Sequence, residues 1–133
     1  MTENAPLKKR VLIVDDEPAI GKVLGIALKL AGYEVIQTTS GAEAIELVRM
    51  QAPHVILLDV VMPGVTGLEV LDQVRKFSRV PIIIFSGHPE VVRFALKMGA
   101  DDSIAKPFDP GLLVEKIKVL LDTSRAAKEQ HEH

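Results

Sequence analysis

The sequence predicts an α/β fold in which a parallel sheet is covered by helices on both faces. Three observations lead to this prediction. Short apolar runs recur along the chain at intervals of roughly 20 to 27 residues. The runs are continuous rather than alternating with polar residues, which is typical of strands buried on both faces. The segments between them carry apolar residues at helical spacing, and strict alternation of strand and helix implies right-handed crossovers.

The predicted strands are five apolar segments. In chain order they cover residues 11–14, 35–36, 55–58, 82–85 and, with a weaker pattern, 103–105.

The first predicted helix follows the first strand. Its apolar residues fall at helical spacing, at Ile20, Val23, Leu24, Ala27 and Leu28. Gly32 lies just beyond them, where glycine commonly ends a helix.

The other four predicted helices have recognisable ends. Ser40 with the glutamate three residues later, and Thr66 with its own, have the spacing of a capping box. A shorter fourth helix covers residues 90–98 and is ended by Gly99. The Asp-Pro pair at Asp109 opens the fifth helix, because proline is favoured in the first helical turn.

Composition limits the function before any motif does. The 133 residues suit one domain, and 47% hydrophobic with 26% charged residues is ordinary for a globular protein. A formal net charge of -2 predicts no direct binding of nucleic acid. With no cysteine, no apolar leader and no apolar run of membrane-spanning length, we expect a cytoplasmic protein without membrane insertion.

Polar residues follow four of the predicted strands. Asp15 and Asp16 end the first strand, Asp59 the third, Ser86 the fourth and Lys106 the fifth. In an open sheet of this kind, ligands bind beyond the carboxyl ends of the strands, where the strand order reverses. We therefore expect these side chains to converge on one edge of the sheet.

Each of these residues also has a structural interpretation. Asp15 and Asp16 precede a proline and are suited to capping the first helix, and Asp59 precedes a turn. Ser86 alone is compatible with a solvated loop hydroxyl, and Lys106 with a surface charge. The functional hypothesis depends on their combination.

Three carboxylates brought together repel one another unless a cation offsets their charge. Carboxylate oxygens without cysteine or histidine favour Mg²⁺. His88 is the one histidine of the sequence near this edge, and we expect it to be a loop residue. The Lys106 ammonium and the Ser86 hydroxyl suit the oxygens of a phosphoryl group, and Asp59 is the best candidate for a carboxylate nucleophile.

Four segments of the sequence resemble the receiver domain of response regulators, the phosphoacceptor module of two-component signalling. They are VLIVDDEP, VILLDVVMPGVTG with its D-x-x-M-P-x-x-x-G pattern, IIIFSG and GADDSIAKPF. The resemblance runs from about residue 10 to residue 122 and has the order and spacing of that family.

The resemblance implies a flavodoxin-like (βα)5 three-layer sandwich with a five-stranded parallel sheet in the order 2-1-3-4-5. It implies a receiver domain at residues 10–122, preceded by a flexible tail at 1–9. Residues 123–133 are then a polar tail or the start of a linker, which could extend the last helix, hang free or lead to an output domain.

The resemblance also implies the roles of individual residues. Mg²⁺, for which Mn²⁺ can substitute, is held by Asp16 directly, by Asp15 through water, by Asp59 and by the backbone carbonyl of Val61. The phosphoryl group is accepted by Asp59, and its oxygens are contacted by Ser86 and Lys106. A cis peptide bond is implied before Pro107.

The function implied is signalling rather than ordinary enzyme catalysis. The domain accepts a phosphoryl group from a histidine kinase or a histidine phosphotransfer protein and catalyses its own phosphorylation and dephosphorylation. It then controls an output domain or protein through the face formed by the fourth helix, fifth strand and fifth helix, as a monomer or a phosphorylation-dependent dimer. One position departs from the family: Ser103 lies where a tyrosine or phenylalanine is usual, so the form of the switch is open.

Other classes of protein fit the sequence less well. The acidic segment after the first strand would repel the phosphate of FMN, and the glycine motifs of dinucleotide-binding enzymes and P-loop NTPases do not occur. An aspartyl phosphatase commonly has a second acid two residues after its nucleophile, but Val61 is found there. A receiver-like docking module that is never phosphorylated remains an alternative, against which the complete residue set argues.

Overall fold

The computed structural model describes residues 8–60, 64, 66–107 and 109–131, with side chains as far as residue 122. Within these residues, five strands and five helices alternate along the chain. They are β1 (Arg10–Val14), α1 (Pro18–Leu30), β2 (Glu34–Thr38), α2 (Gly41–Gln51), β3 (Val55–Asp59), α3 (Gly67–Arg75), β4 (Ile82–Ser86), α4 (Pro89–Lys97), β5 (Asp102–Ala105) and α5 (Pro110–His131).

The sheet is parallel throughout and has the order β2-β1-β3-β4-β5. The predicted α/β class and the flavodoxin-like strand order are both confirmed. Strand β2 is longer than the apolar pair 35–36, because Glu34 and Gln37 lie at the exposed edge of the sheet where polar side chains reach water.

Two apolar layers cover the two faces of the sheet. One layer packs β-strand residues against α2, α3 and α4 and includes Leu12, Leu58 and Ile84. The other packs the alternate residues against α1 and α5 and includes Ile13, Leu57 and Phe85. The central strands are therefore buried on both faces, which explains why they are continuous apolar runs.

In the structure, the helices begin and end largely where the sequence predicts. The hydroxyl oxygens of Ser40 and Thr66 accept hydrogen bonds from backbone N–H groups three residues later, at 3.2 and 3.3 Å. Gly32 and Gly99 follow α1 and α4 with positive φ angles of 98° and 111°. The Asp109 carboxylate accepts the N–H of Gly111 at 3.1 Å, and α5 continues to His131.

Gly67, the first residue of α3, lies against the backbone at the end of β3. A Cβ atom at this position would collide with the carbonyl oxygen of Asp59 and with Val60. Helix α3 can therefore start this close to the strand only because residue 67 has no side chain.

Arg75 connects the elements at the opposite end of the sheet. Its guanidinium donates to the carbonyl oxygens of Gly99, Ser78 and Val80 and to the Asp101 carboxylate, at 2.9 to 3.2 Å. Because Asp101 also accepts the N–H of Ile82, at 2.8 Å, one cluster ties the end of α3 to the starts of β4 and β5.

Among the described helices, none has the length and apolarity needed to cross a membrane.

Candidate functional site

Asp15, Asp16 and Asp59 meet at the carboxyl edge of the sheet. Strands β1 and β3 are neighbours with Val14 beside Leu58, so the residues that follow them lie side by side. One carboxylate oxygen from each aspartate lies within 4.8 Å of the others. Asp15 is 2% exposed and Asp59 3%, while Asp16 is half-buried. The predicted convergence of these carboxylates is therefore found in the structure.

Asp15 carries the strongest electrostatic perturbation at this edge. Its pKa is raised from an ordinary 3.8 to about 6, and desolvation by burial is the largest cause. A hydrogen bond from the Glu17 N–H, at 2.9 Å to Oδ1, lowers the pKa, whereas the neighbouring Asp59 raises it. The second oxygen, Oδ2, is buried and has no hydrogen-bond partner. A buried carboxylate oxygen without a partner fits a cation ligand.

The capping interpretation of the aspartate pair is wrong in its simple form. The N-cap residue of α1 is Glu17, and no side-chain hydrogen bond caps the helix. Asp15 instead accepts the N–H of Glu17 ahead of the first turn.

Lys106 and Ser86 approach the carboxylates from the other side. The Lys106 Nζ lies 3.2 Å from Asp59 Oδ2, and the lysine side chain is 29% exposed. Ser86 is buried, and its Oγ accepts the backbone N–H of His88 at 3.0 Å. The Lys106–Pro107 peptide bond is cis, as the resemblance implies.

A polar cavity of about 310 Å³ opens over these groups. Asp16, Asp59, Ser86, His88 and Lys106 are among the residues that line it. The cavity therefore brings together carboxylates, a hydroxyl and an ammonium, which can bind a divalent cation and the oxygens of a phosphoryl group. His88 occupies the N-cap position of α4 without a side-chain capping bond. The sequence predicted a loop residue near this edge of the sheet, and the structure adds that the residue lies on the wall of the cavity.

One expected ligand lies outside the described residues, and one neighbour of the site was not expected. Val61, expected to offer a backbone carbonyl to the cation, lies outside the described residues. Phe85 is not among the predicted site residues, yet the Lys106 Nζ lies 4.6 Å from the centroid of its ring. The sequence signal for Phe85 is weak, because a phenylalanine in an apolar strand is ordinary and only the register between strands brings it beside the site.

Comparison with known families agrees with this geometry. The family model of the response regulator receiver domain matches residues 11–118. A crystal structure of a response regulator receiver domain protein (CheY-like) from Methanospirillum hungatei superposes with a TM-score of 0.85 and 32% sequence identity. That match covers 91% of this chain and 99% of the other.

Curated relatives are longer than this chain. It is 41% identical over 127 residues to "Probable transcriptional regulator ycf27" of Guillardia theta and 37% identical over 132 residues to "Transcriptional regulatory protein BaeR" of Escherichia coli O6:H1. These matches cover 93% and 98% of this chain but 50% and 52% of those proteins. The chain thus spans about half the length of the curated relatives it matches.

Proposed function

The chain belongs to the family of response regulator receiver domains of two-component signalling. On that premise, we propose that Asp59 is its phosphoacceptor. The observation that carries this proposal is the position of the Asp59 carboxylate. It lies within the three-aspartate cluster and also 3.2 Å from the Lys106 ammonium, in a cavity that Ser86 lines. Such a carboxylate faces the charges that phosphoryl transfer requires.

The proposed metal is Mg²⁺, held by Asp15, Asp16 and Asp59, with the backbone carbonyl of Val61 as a further ligand implied by the family. Receiver domains bind this ion through a cluster of acidic residues, and the oxygen-only donor set with its unpartnered Asp15 Oδ2 fits it. When bound, Mg²⁺ supplies positive charge to the oxygens of the transferred group.

The residues of the chain perform the remaining steps. An Asp59 carboxylate oxygen attacks phosphorus as the bond to the donor's imidazole nitrogen breaks, which leaves an aspartyl phosphate. The Lys106 ammonium moves from the carboxylate to the phosphoryl oxygens, and the Ser86 hydroxyl donates to another. Attack by water on phosphorus later breaks the bond to the Asp59 oxygen, which restores the carboxylate and releases inorganic phosphate.

The phosphoryl donor is proposed to be a sensor histidine kinase or a histidine phosphotransfer protein. An apolar cavity of about 510 Å³ adjoins the site, between α1 and the segment that follows β5, and Lys106 and Pro107 contribute to its lining. A protein that brings a phosphohistidine to Asp59 must contact the surface beside this edge of the sheet, and the cavity offers it apolar area.

The proposed output is control of a domain or protein by the face of α4, β5 and α5. The relatives named as transcriptional regulators are about twice as long as the matched region, which supports an output carried by another part of such a protein. We propose residues 10–122 as the receiver domain, since β1 begins at Arg10 and the last fully buried residue of α5 within the described side chains is Ile117.

Mass spectrometry tests the phosphoacceptor directly. With Mg²⁺ and acetyl phosphate, we expect the intact mass to increase by one phosphoryl group that hydroxylamine removes. Asp59→Asn should abolish the increase, because the amide is not a comparable nucleophile. Asp72→Asn is the matched control, since Asp72 is an exposed aspartate on α3 away from the site. An unchanged rate in Asp59→Asn contradicts the assignment.

The same experiment separates the rival classes. An aspartyl phosphatase would turn over a phosphomonoester many times per protein molecule in the presence of Mg²⁺. A docking module that is never phosphorylated would show no mass increase in the wild-type protein. The proposal expects a single phosphoryl group per chain and slow hydrolysis.

A further inference from the structure

Phe85 lies in the path that Lys106 takes to Asp59. In the registers of the sheet, Asp59 on β3 pairs with Phe85 on β4, and Phe85 pairs with Ile104 on β5. Lys106 starts two strands away from Asp59, a distance of about 10 Å at the usual spacing of neighbouring strands. Its side chain therefore has to cross β4, and the side chain of β4 beneath it is Phe85.

The contact between the two side chains is a cation–π arrangement. The Lys106 Nζ lies 4.6 Å from the ring centroid, inside the distance at which the negative face of a ring attracts a cation. The same nitrogen lies 3.2 Å from Asp59 Oδ2. The ammonium thus has two partners, the ring and the carboxylate.

The ring itself cannot move freely. Phe85 is fully buried in the apolar layer under α1 and α5, together with Ile83 and Ile104. An aliphatic residue would fill much of this space but would offer no negative face to the ammonium. Lysine is otherwise a flexible side chain that loses rotamer freedom when its ammonium is held in one place.

From this geometry we infer that Phe85 is a positioning residue for phosphoryl transfer: its ring holds the Lys106 ammonium beside Asp59. The inference rests on the proposed function of that site. Phe85 touches no phosphoryl oxygen, and it acts by orienting the lysine before the transferred group arrives. The competing explanation is that Phe85 only fills the core.

Fluorinated phenylalanines at position 85 separate these explanations, because successive fluorines weaken the negative face of the ring while nearly keeping its shape. We expect the rate constant for phosphorylation by acetyl phosphate with Mg²⁺ to fall stepwise along the series. Phe85→Leu is expected to lower it by about threefold to tenfold, the range of a partly desolvated cation–π contact.

Ile83→Val is the matched core control. Ile83 lies on the same strand and face and is fully buried, but it pairs with Asp102, two residues farther from the carboxyl edge than Phe85. We expect this variant to lose stability while folded protein keeps the wild-type rate constant. Equal rate constants across the fluorinated series, with wild-type phosphorylation intact, would overturn the inference and leave the proposed function standing.

A second readout does not need phosphorylation. Methylene protons of Lys106 held over the ring should resonate upfield in the NMR spectrum of the wild-type protein, and Phe85→Leu should remove that displacement while Ile83→Val retains it. Absence of the displacement in the wild type overturns the positioning role. A displaced resonance in a wild-type protein that accepts no phosphoryl group would overturn both the proposed function and the role of Phe85 in it.

Discussion

At the scale of single residues, the candidate site is built from groups that are costly to bury alone. Asp15 is the clearest case, because its carboxylate is desolvated, lies beside two other aspartates and leaves one oxygen without a hydrogen-bond partner. Such an arrangement destabilises the folded protein when no cation is bound, and a bound cation would offset the negative charge. We therefore expect the site to trade folding stability for metal affinity.

This trade predicts a pH dependence of stability. Asp15 has a folded-state pKa of about 6 against an ordinary 3.8, so the metal-free folded protein binds the proton more tightly than the unfolded chain. The stability this confers is fully present below the ordinary value and is lost as pH rises through about 6. The loss is on the order of 3 kcal/mol.

The measurement compares wild type with Asp15→Asn by urea unfolding in EDTA at several pH values. The asparagine keeps an oxygen for the Glu17 N–H but carries no charge. We expect the variant to be more stable than wild type at pH 7 and similar at pH 4. Saturating Mg²⁺ should shrink the difference at pH 7. Burial lowers the pKa of His54, so this histidine destabilises the folded state as pH falls. The effect is equal in both proteins and leaves the difference between them unchanged. A constant difference across pH would refute the argument.

At the scale of elements, helix α3 and strand β3 approach so closely that the first residue of the helix must be glycine. We expect Gly67→Ala to destabilise the protein by at least about 2 kcal/mol, because its Cβ meets backbone that cannot move without displacing Asp59. Gly87→Ala is the control, since a Cβ there would lie 3.9 Å from the Lys106 carbonyl oxygen, an ordinary contact.

Urea unfolding of the two glycine variants measures this difference. The control should change the free energy of unfolding by no more than about 1 kcal/mol. Gly67→Ala should also slow phosphorylation of the protein that remains folded, since the Asp59 backbone has shifted. Similar stabilities of the two variants would mean that α3 can retreat from β3 at little cost.

At the scale of the whole molecule, we expect the connection from the site to the proposed output face to pass through Ser86 and α4. The Ser86 Oγ accepts the N–H of His88, at the start of the helix. In α4, every residue of which is described, Ala95 is the one buried side chain, and Phe94 is 56% exposed. A helix so weakly anchored can change its local stability at low cost. Ser103, half-buried on β5, offers no ring to move.

We therefore expect the switch to act through the segment from Ser86 to Pro89 and through α4. Hydrogen exchange with Mg²⁺ and beryllofluoride should change protection across residues 86–106, because new contacts to Ser86 and Lys106 shift this region between two arrangements. Asp59→Asn under the same conditions is the control and should show no change. Unchanged protection at saturation of Asp59 would indicate a domain that holds phosphate without transmitting it on this face.

The local pattern of the sequence determined the elements and the candidate residues. Continuous apolar runs, capping residues and glycines at helix ends depend on neighbours within a few positions, so they can be recognised without the fold. Asp59, Ser86 and Lys106 could be selected because each follows such a run. Even so, the edge strand β2 was predicted too short, since its exposed Glu34 and Gln37 do not carry an apolar signal.

Only the tertiary structure decided which of these residues touch. Strand register is set by side chains far apart in sequence, and it brings Asp15 beside Asp59 and places Phe85 between Asp59 and Lys106. The need for glycine at position 67 likewise depends on backbone from another element. Contacts of this kind arise when the sheet assembles, and they determine the distances and the burial on which the chemistry of the site depends.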